Sequence, residues 1–207
     1  MAKSKTSYLE WARGKSIDTD GVPKQRFQCA DLAKDYLRQC YDVQFSFYLS
    51  GINERCFVKS LYENFEKYPQ LKGNFVKLKN TPSFIPQKGD IIVWGHCKGV
   101  TGEAGHVAIS LGYSTDNTKS FRSLDQNWGE RYYCAEITHN YKGVLGVIRP
   151  LQKCTIADLN VRKGPGITFA KVNEDGIKKG TLVRPLTYKN GWAQIGEGEW
   201  VSAKYLD

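Results

Sequence analysis

Several features are missing from this 207-residue sequence, and each absence narrows what it encodes. No stretch approaches the roughly 18 consecutive apolar residues of a membrane-spanning helix. The opening stretch, MAKSKTSYLEWARGK, holds no apolar run, so it reads as no secretory signal. Such a protein either stays in the cytosol or leaves by a route without a signal peptide. The six cysteines, at 29, 40, 56, 97, 134 and 154, include no pair at the two-to-four-residue spacing of a zinc knuckle, and His96 directly adjoins Cys97. An even count permits disulfides, but a chain of this size without an export signal favours free thiols. Most are therefore expected as buried small side chains, with Cys29 the exception. There is no arginine-rich run and no aromatic RNA-binding motif, which argues against a nucleic-acid partner despite the basic charge.

Charge of one sign is in excess, at +9. It is spread along the chain: residues 1–152 carry 21 Lys/Arg against 15 Asp/Glu, and residues 153–207 carry 9 against 6. An even excess suits a polyanionic partner such as nucleic acid or an anionic wall polymer, and it equally suits plain solubility.

What is present divides in two. Ser7-Tyr-Leu-Glu10 has the form of a capping box, predicting a short helix over about Tyr8–Arg13. From Cys29 onward, Leu32, Ala33, Tyr36, Leu37 and Cys40 recur at steps of three and four and predict one buried helical face. Phe57, Leu61, Phe65 and Tyr68 predict a further helix over 54–68. After NTPSFIPQKGD the pattern changes. DIIVWG, HVAISLGY, SFRSLDQNW and VLGVIRP are short β-rich runs bounded by turn residues. Helices first and strands afterwards imply an α+β fold with an antiparallel sheet over residues 1–151. Residues 152–207 differ in kind. Their short strands, separated by Gly-Pro, Glu-Asp-Gly, Lys-Gly and Asn-Gly turns, imply a small all-β barrel.

Cys29 falls at the first turn of its helix, where unpaired amides and the helix dipole favour negative charge. A thiol there is a candidate nucleophile. With three histidines in all, the search for its base is short. His96 and His139 lie in or beside polar turns, whereas His106 begins a strand, and a strand-end side chain faces a cleft more readily than a mid-strand one. Asp125 and Asn127 on the next predicted strand share a face by the two-residue alternation and are within reach of a neighbouring histidine. Two accounts stay open on these residues alone: a Cys29–His106 catalytic pair, or a buried thiol beside a strand-capping histidine.

The ordered series QCADLAKDY, PQKGDIIVW, GHVAIS and LDQNW, across about Ser7 to Pro150, resembles the CHAP family of papain-like cysteine, histidine-dependent amidohydrolases/peptidases, many of them phage endolysins. The resemblance implies cleavage of bacterial peptidoglycan, with Cys29 as nucleophile and His106 as general base and acid. Asp125 would orient the imidazole, where some members carry glutamate. Asn127 would help hold the imidazole or polarise the carbonyl, Gln28 would donate to the oxyanion, and Trp128 would contact substrate. It also implies a monomer held in the host cytoplasm until its release to the wall, with no membrane insertion.

LNVRKGPG, IKKGTLV, NGWAQI and EWVSAKYL resemble bacterial SH3 domains, which implies wall attachment by residues 152–207. Tyr188 and Tyr205 are its candidate ligand-contacting aromatics, while Trp192 and Trp200 are expected in the barrel core. DTDG at Asp18–Gly21 offers alternating carboxylates. The CHAP resemblance implies a structural Ca²⁺ held by Asp18, Asp20 and Asp31, against a plain Asp-rich turn. The loop that follows is two residues longer than in calcium-binding members and contains Lys24 and Arg26, cations that oppose metal. The remaining alternatives are a wall-binding protein that does not cut, and a nucleic-acid-binding protein.

Overall fold

The computed structural model of the protein describes residues 1–22, 27–49, 57–113 and 119–207. Lys24, Arg26 and Cys56 lie outside the described residues, as does the 54–56 start of the predicted third helix.

Helix α1 spans Lys5–Ala12, three residues earlier than the capping-box reading. Ser4, not Ser7, is the N-cap: its Oγ accepts the Ser7 amide at 3.1 Å, and Glu10 is left exposed. Two serines three apart compete for one cap, and the earlier one wins because it lets Tyr8, Leu9 and Ala12 all face inward. Helix α2, Cys29–Tyr41, starts where its periodicity predicts and buries Leu32, Ala33, Tyr36, Leu37 and Cys40 almost completely. Asp42, in left-handed backbone, closes it. The third helix is shorter than its apolar spacing suggests. Helix α3 is Ser60–Glu63, followed by a 3-10 turn at Phe65–Lys67. Asn64 interrupts it by donating from Nδ2 to Ser60 Oγ at 3.1 Å. Leu61, Phe65 and Tyr68 are still buried, while Phe57 is only half-buried.

Six antiparallel strands follow: β1 Phe75–Lys79, β2 Ile91–Trp94, β3 His106–Tyr113, β4 Phe121–Asp125, β5 Ala135–His139 and β6 Val144–Pro150. They form one sheet in the order β1-β6-β2-β3-β4-β5. Alternate side chains feed two cores. Ile91, Val93, Val107, Ile109, Leu124 and Ile148 pack under α1 and α2, while Ile92, Trp94, Ala108, Phe121 and Val147 form a second cluster. Because both faces are covered, the central strands read as unbroken apolar runs. Few helices on one antiparallel sheet make residues up to Pro150 α+β.

The rest of the chain is built of short antiparallel pieces. Strands β7 Lys153–Cys154 and β8 Leu182–Val183 pair, as do β9 Thr187–Lys189, β10 Trp192–Gly196 and β11 Glu199–Ser202. Leu159, Val161, Ala193 and Val201 form a core of their own. Ala193 pairs with Val201 and with Tyr188, so these three share a face, and Trp192 and Trp200 occupy the other. The small residues, not the tryptophans, fill the core, and Trp192 and Trp200 are half-buried outside it. The two parts of the chain touch at its ends: the Thr6 amide and hydroxyl donate to the two carboxylate oxygens of Asp207 at 2.8 and 3.0 Å.

Candidate active site

Cys29 is the first residue of α2 and is buried, at 9% exposure. The turn into it is forced. Phe27 has φ 58, uncommon for a side chain of its size. The Gln28 amide then donates to Asp31 Oδ2 at 2.9 Å, tying the helix entrance to its own first turn.

His106 opens β3 at 5% exposure. Gly105 sets its position, with φ +73 and no room for a side chain: a Cβ there would stand 2.2 Å from the Trp94 carbonyl oxygen. Asp125, the last residue of the neighbouring β4, takes His106 Nε2 on Oδ2 at 2.8 Å. That fixes Nε2 as the end facing the carboxylate and leaves Nδ1 on the opposite side of a ring that feels the charge of Cys29.

Burial alone would push the His106 pKa down. The charge of Cys29, then the Asp125 and Cys29 hydrogen bonds, outweigh it and raise the imidazole from 6.5 to about 10. Asp125 balances in the opposite sense: burial would raise its pKa, but hydrogen bonds from His106 and His139 hold it below the ordinary carboxylate value. Burial pushes Cys134 up to about 12 and also raises Cys40 and Cys154, keeping all three as inert thiols. Cys97 is half-buried.

Asn127 departs from its expected place. The alternation stops at Asp125, and Asn127 has φ 60, so the two do not share a strand face. Its Nδ2 donates instead to Oε1 of Gln28 at 2.8 Å. Trp128 covers the site, its ring centroid 4.9 Å from His106 and 4.5 Å from His139.

Two residues with no role in the sequence reading stand at the centre. Gln126 is fully buried and stitches the loop before α2 to the end of β4, accepting from Ile17 N at 2.7 Å and donating to Ile17 O at 2.8 Å and Gln28 O at 2.9 Å. His139 ends β5 and places Nε2 3.1 Å from Asp125 Oδ2. The one signal for it was its position closing the AEITH run, an edge strand too polar to be read as one.

Near the start of α2 lies a hollow of about 240 Å³, lined by Gln28, Ala30, Lys34, Tyr48 and Val58 among others, but by neither Cys29 nor His106. A larger cavity of about 790 Å³, lined by Lys3, Ser4, Cys154 and Lys204 among others, includes neither Cys29 nor His106. Tyr188 is 57% exposed at the edge of its sheet, and Tyr205 packs against the small core. Neither lines the hollow near the start of α2.

Asp18, Asp20 and Asp31 converge, with carboxylate oxygens within 4.8 Å of one another. A cation already stands among them: Lys34 Nζ is 3.0 Å from Asp20 and 3.7 Å from Asp31. Slight burial would raise the Asp20 pKa, but the Lys34 hydrogen bond and the Val22 amide lower it. Three hard oxygens around a positive charge fit a divalent cation such as Ca²⁺.

No family model matches the chain. Endolysin PlyTW of Staphylococcus phage Twort is 28% identical over 208 residues, which is 94% of this chain and 40% of that protein. A probable autolysin of Staphylococcus aureus is 36% identical over 99 residues, 44% of this chain and 18% of the relative. The chain thus spans less than half the length of these curated relatives. Among solved structures, the wild-type endolysin LysIME-EF1 superposes with a TM-score of 0.54 at 29% identity, over 72% of this chain and 65% of the other. Ly7917, crystallised with the hydrolysis product of MDP, superposes at 0.52 and 17% identity over 98% and 96%, a likeness of fold alone.

Proposed function

We propose that the protein is a peptidoglycan hydrolase of the endolysin type. Residues 1–151 would form a CHAP-like catalytic domain and residues 152–207 an SH3b-like wall-binding domain. The observation that carries this is the line Asp125–His106–Cys29 at the N-terminus of α2. The similarity to endolysins and an autolysin supports peptidoglycan as the substrate.

In this reading the Cys29 thiolate, paired with the His106 imidazolium, attacks the carbonyl carbon of a wall amide. The carbonyl π electrons move onto oxygen, and the Gln28 amide and the first N–H groups of α2 receive that charge. Collapse of the intermediate breaks the C–N bond. His106 gives its proton to the departing nitrogen, and a thioester remains on Cys29. The imidazole then takes a proton from water as the oxygen attacks the thioester. Release of the acid restores thiolate and imidazolium. Asp125 keeps the ring's Nε2–H fixed throughout.

Asp18, Asp20 and Asp31 would hold Ca²⁺ in exchange for Lys34. The ion would supply a fixed positive charge that ties the 18–20 turn to the first turn of α2. No catalytic step requires it. The spread excess of positive charge supports attraction to anionic wall polymers. Before the wall is reached, such an enzyme would sit in the host cytoplasm.

Fragment analysis of purified walls tests the reading. Wild-type protein should release new termini, while Cys29→Ser should release none yet still sediment with walls. A new N-terminal alanine identifies a muramoyl–alanine amidase, and a new glycine or other stem terminus identifies an endopeptidase. Cleavage by Cys29→Ser would remove the mechanism.

A further inference from the structure

β5 ends on a side chain that the reaction above does not use. His139 is 6% exposed, and its Nε2 approaches Oδ2 of Asp125, the same oxygen that holds His106. The other oxygen of Asp125 accepts the Ser123 hydroxyl at 2.6 Å. Asp125 is 1% exposed and its pKa is lowered, so it stands as a carboxylate and only accepts. Both imidazoles must then present N–H to it.

The His139 ring is also immobilised. Its centroid lies 4.5 Å from Trp128 with the planes at 89°, 5.0 Å from Trp94 and 5.7 Å from Phe121. A ring wedged by three aromatics is a fixed donor. Without it, Ser123 would anchor Oδ1 and Oδ2 would answer to His106 alone. The carboxylate and the catalytic imidazole would then turn together.

We propose that His139 is a positioning residue: its N–H pins Oδ2 of Asp125 and thereby sets the tilt of His106 toward Cys29. The inference rests on reading Cys29, His106 and Asp125 as the reacting group.

Two substitutions separate positioning from packing. His139→Phe keeps an aromatic ring among Trp94, Phe121 and Trp128 but removes the donor. His139→Gln keeps an N–H donor at similar reach and gives up the ring. Initial rates on purified walls should show kcat falling about 10- to 100-fold in His139→Phe, with KM within about twofold, because small misalignments of a catalytic group cost rates of that order. His139→Gln should recover most of that loss. The opposite order, with His139→Phe at wild-type kcat and His139→Gln impaired, would assign the ring to packing and overturn the proposal. Should either variant fail to fold, proton NMR of the wild type decides: a His139 Nε2–H resonance shifted downfield beside that of His106 supports it, and its absence refutes it. Cys29→Ala serves as the control. Wall cleavage by Cys29→Ala sinks the catalytic reading itself, whereas an inactive Cys29→Ala alongside an unaffected His139→Phe sinks this inference alone.

Discussion

The side-chain amide of Gln126 donates to the backbone carbonyl of Gln28 across 2.9 Å, joining the end of β4 to the residue that precedes Cys29. Sheet and helix are thereby held in register where α2 begins and β4 ends. Gln126 also satisfies both the N–H and the C=O of Ile17. Gln126→Ala leaves these buried groups unpaired and should destabilise the fold by about 2–3 kcal/mol. Urea unfolding measures it. The alkylation rate of Cys29 by iodoacetamide should change in the same variant.

Asp125 should matter less to the rate than Cys29. Asp125→Ala removes orientation but leaves nucleophile and base, so wall-lysis rates should rank wild type above Asp125→Ala above Cys29→Ser. Equal loss in the two variants would contradict the assigned roles.

His106 should titrate late. Its pKa is raised from 6.5 to about 10, so the stability this ring contributes is fully present below about pH 6.5 and is lost as pH rises through about 10. Lysis should fall over the upper end of that window as the imidazolium is depleted. In Cys29→Ser the largest raising influence disappears, and NMR titration should find His106 titrating lower than in the wild type.

Calcium should compete with Lys34. Adding Ca²⁺ to chelator-treated protein should raise the melting temperature, and Lys34→Gln should strengthen the response by removing the resident ammonium beside Asp20 and Asp31. Unchanged melting in both proteins would leave the three aspartates as a turn closed by a lysine.

Tyr188 and Tyr205 should separate in behaviour. Tyr188 is exposed, so Tyr188→Ala should weaken sedimentation of the Cys29→Ser protein with walls without moving its melting temperature. Tyr205 packs against Leu159, Val161, Ala193 and Val201, and Tyr205→Ala should lower that temperature.

The legible parts of the chain were those where one physical demand acts alone. Helix α2 has a single buried face, and its periodicity located both its start and Cys29. β2 and β3 are covered on both sides and read as apolar runs. β1 and β5 are the edges of the sheet and carry Lys, Glu and Thr, residues that keep an edge soluble and disguise it as loop. His139 was passed over with β5, taken to lie in or beside a polar turn when it closes the strand and is buried. Asn127 was misplaced because strand alternation was extended beyond the strand's end, which positive φ angles mark and a residue pattern does not. Trp192 and Trp200 were expected in the barrel core, yet that narrow core takes alanine and valine at the paired positions.

Trp128 and Trp94 flank His106 with ring centroids 4.9 and 5.4 Å away. A protonated imidazole accepts an electron from an excited indole, so two of the five tryptophans carry their own quencher. Intrinsic fluorescence of His139→Phe, in which the second imidazole at 4.5 and 5.0 Å from the same rings is gone, should therefore rise as His106 loses its proton, readable without label or substrate.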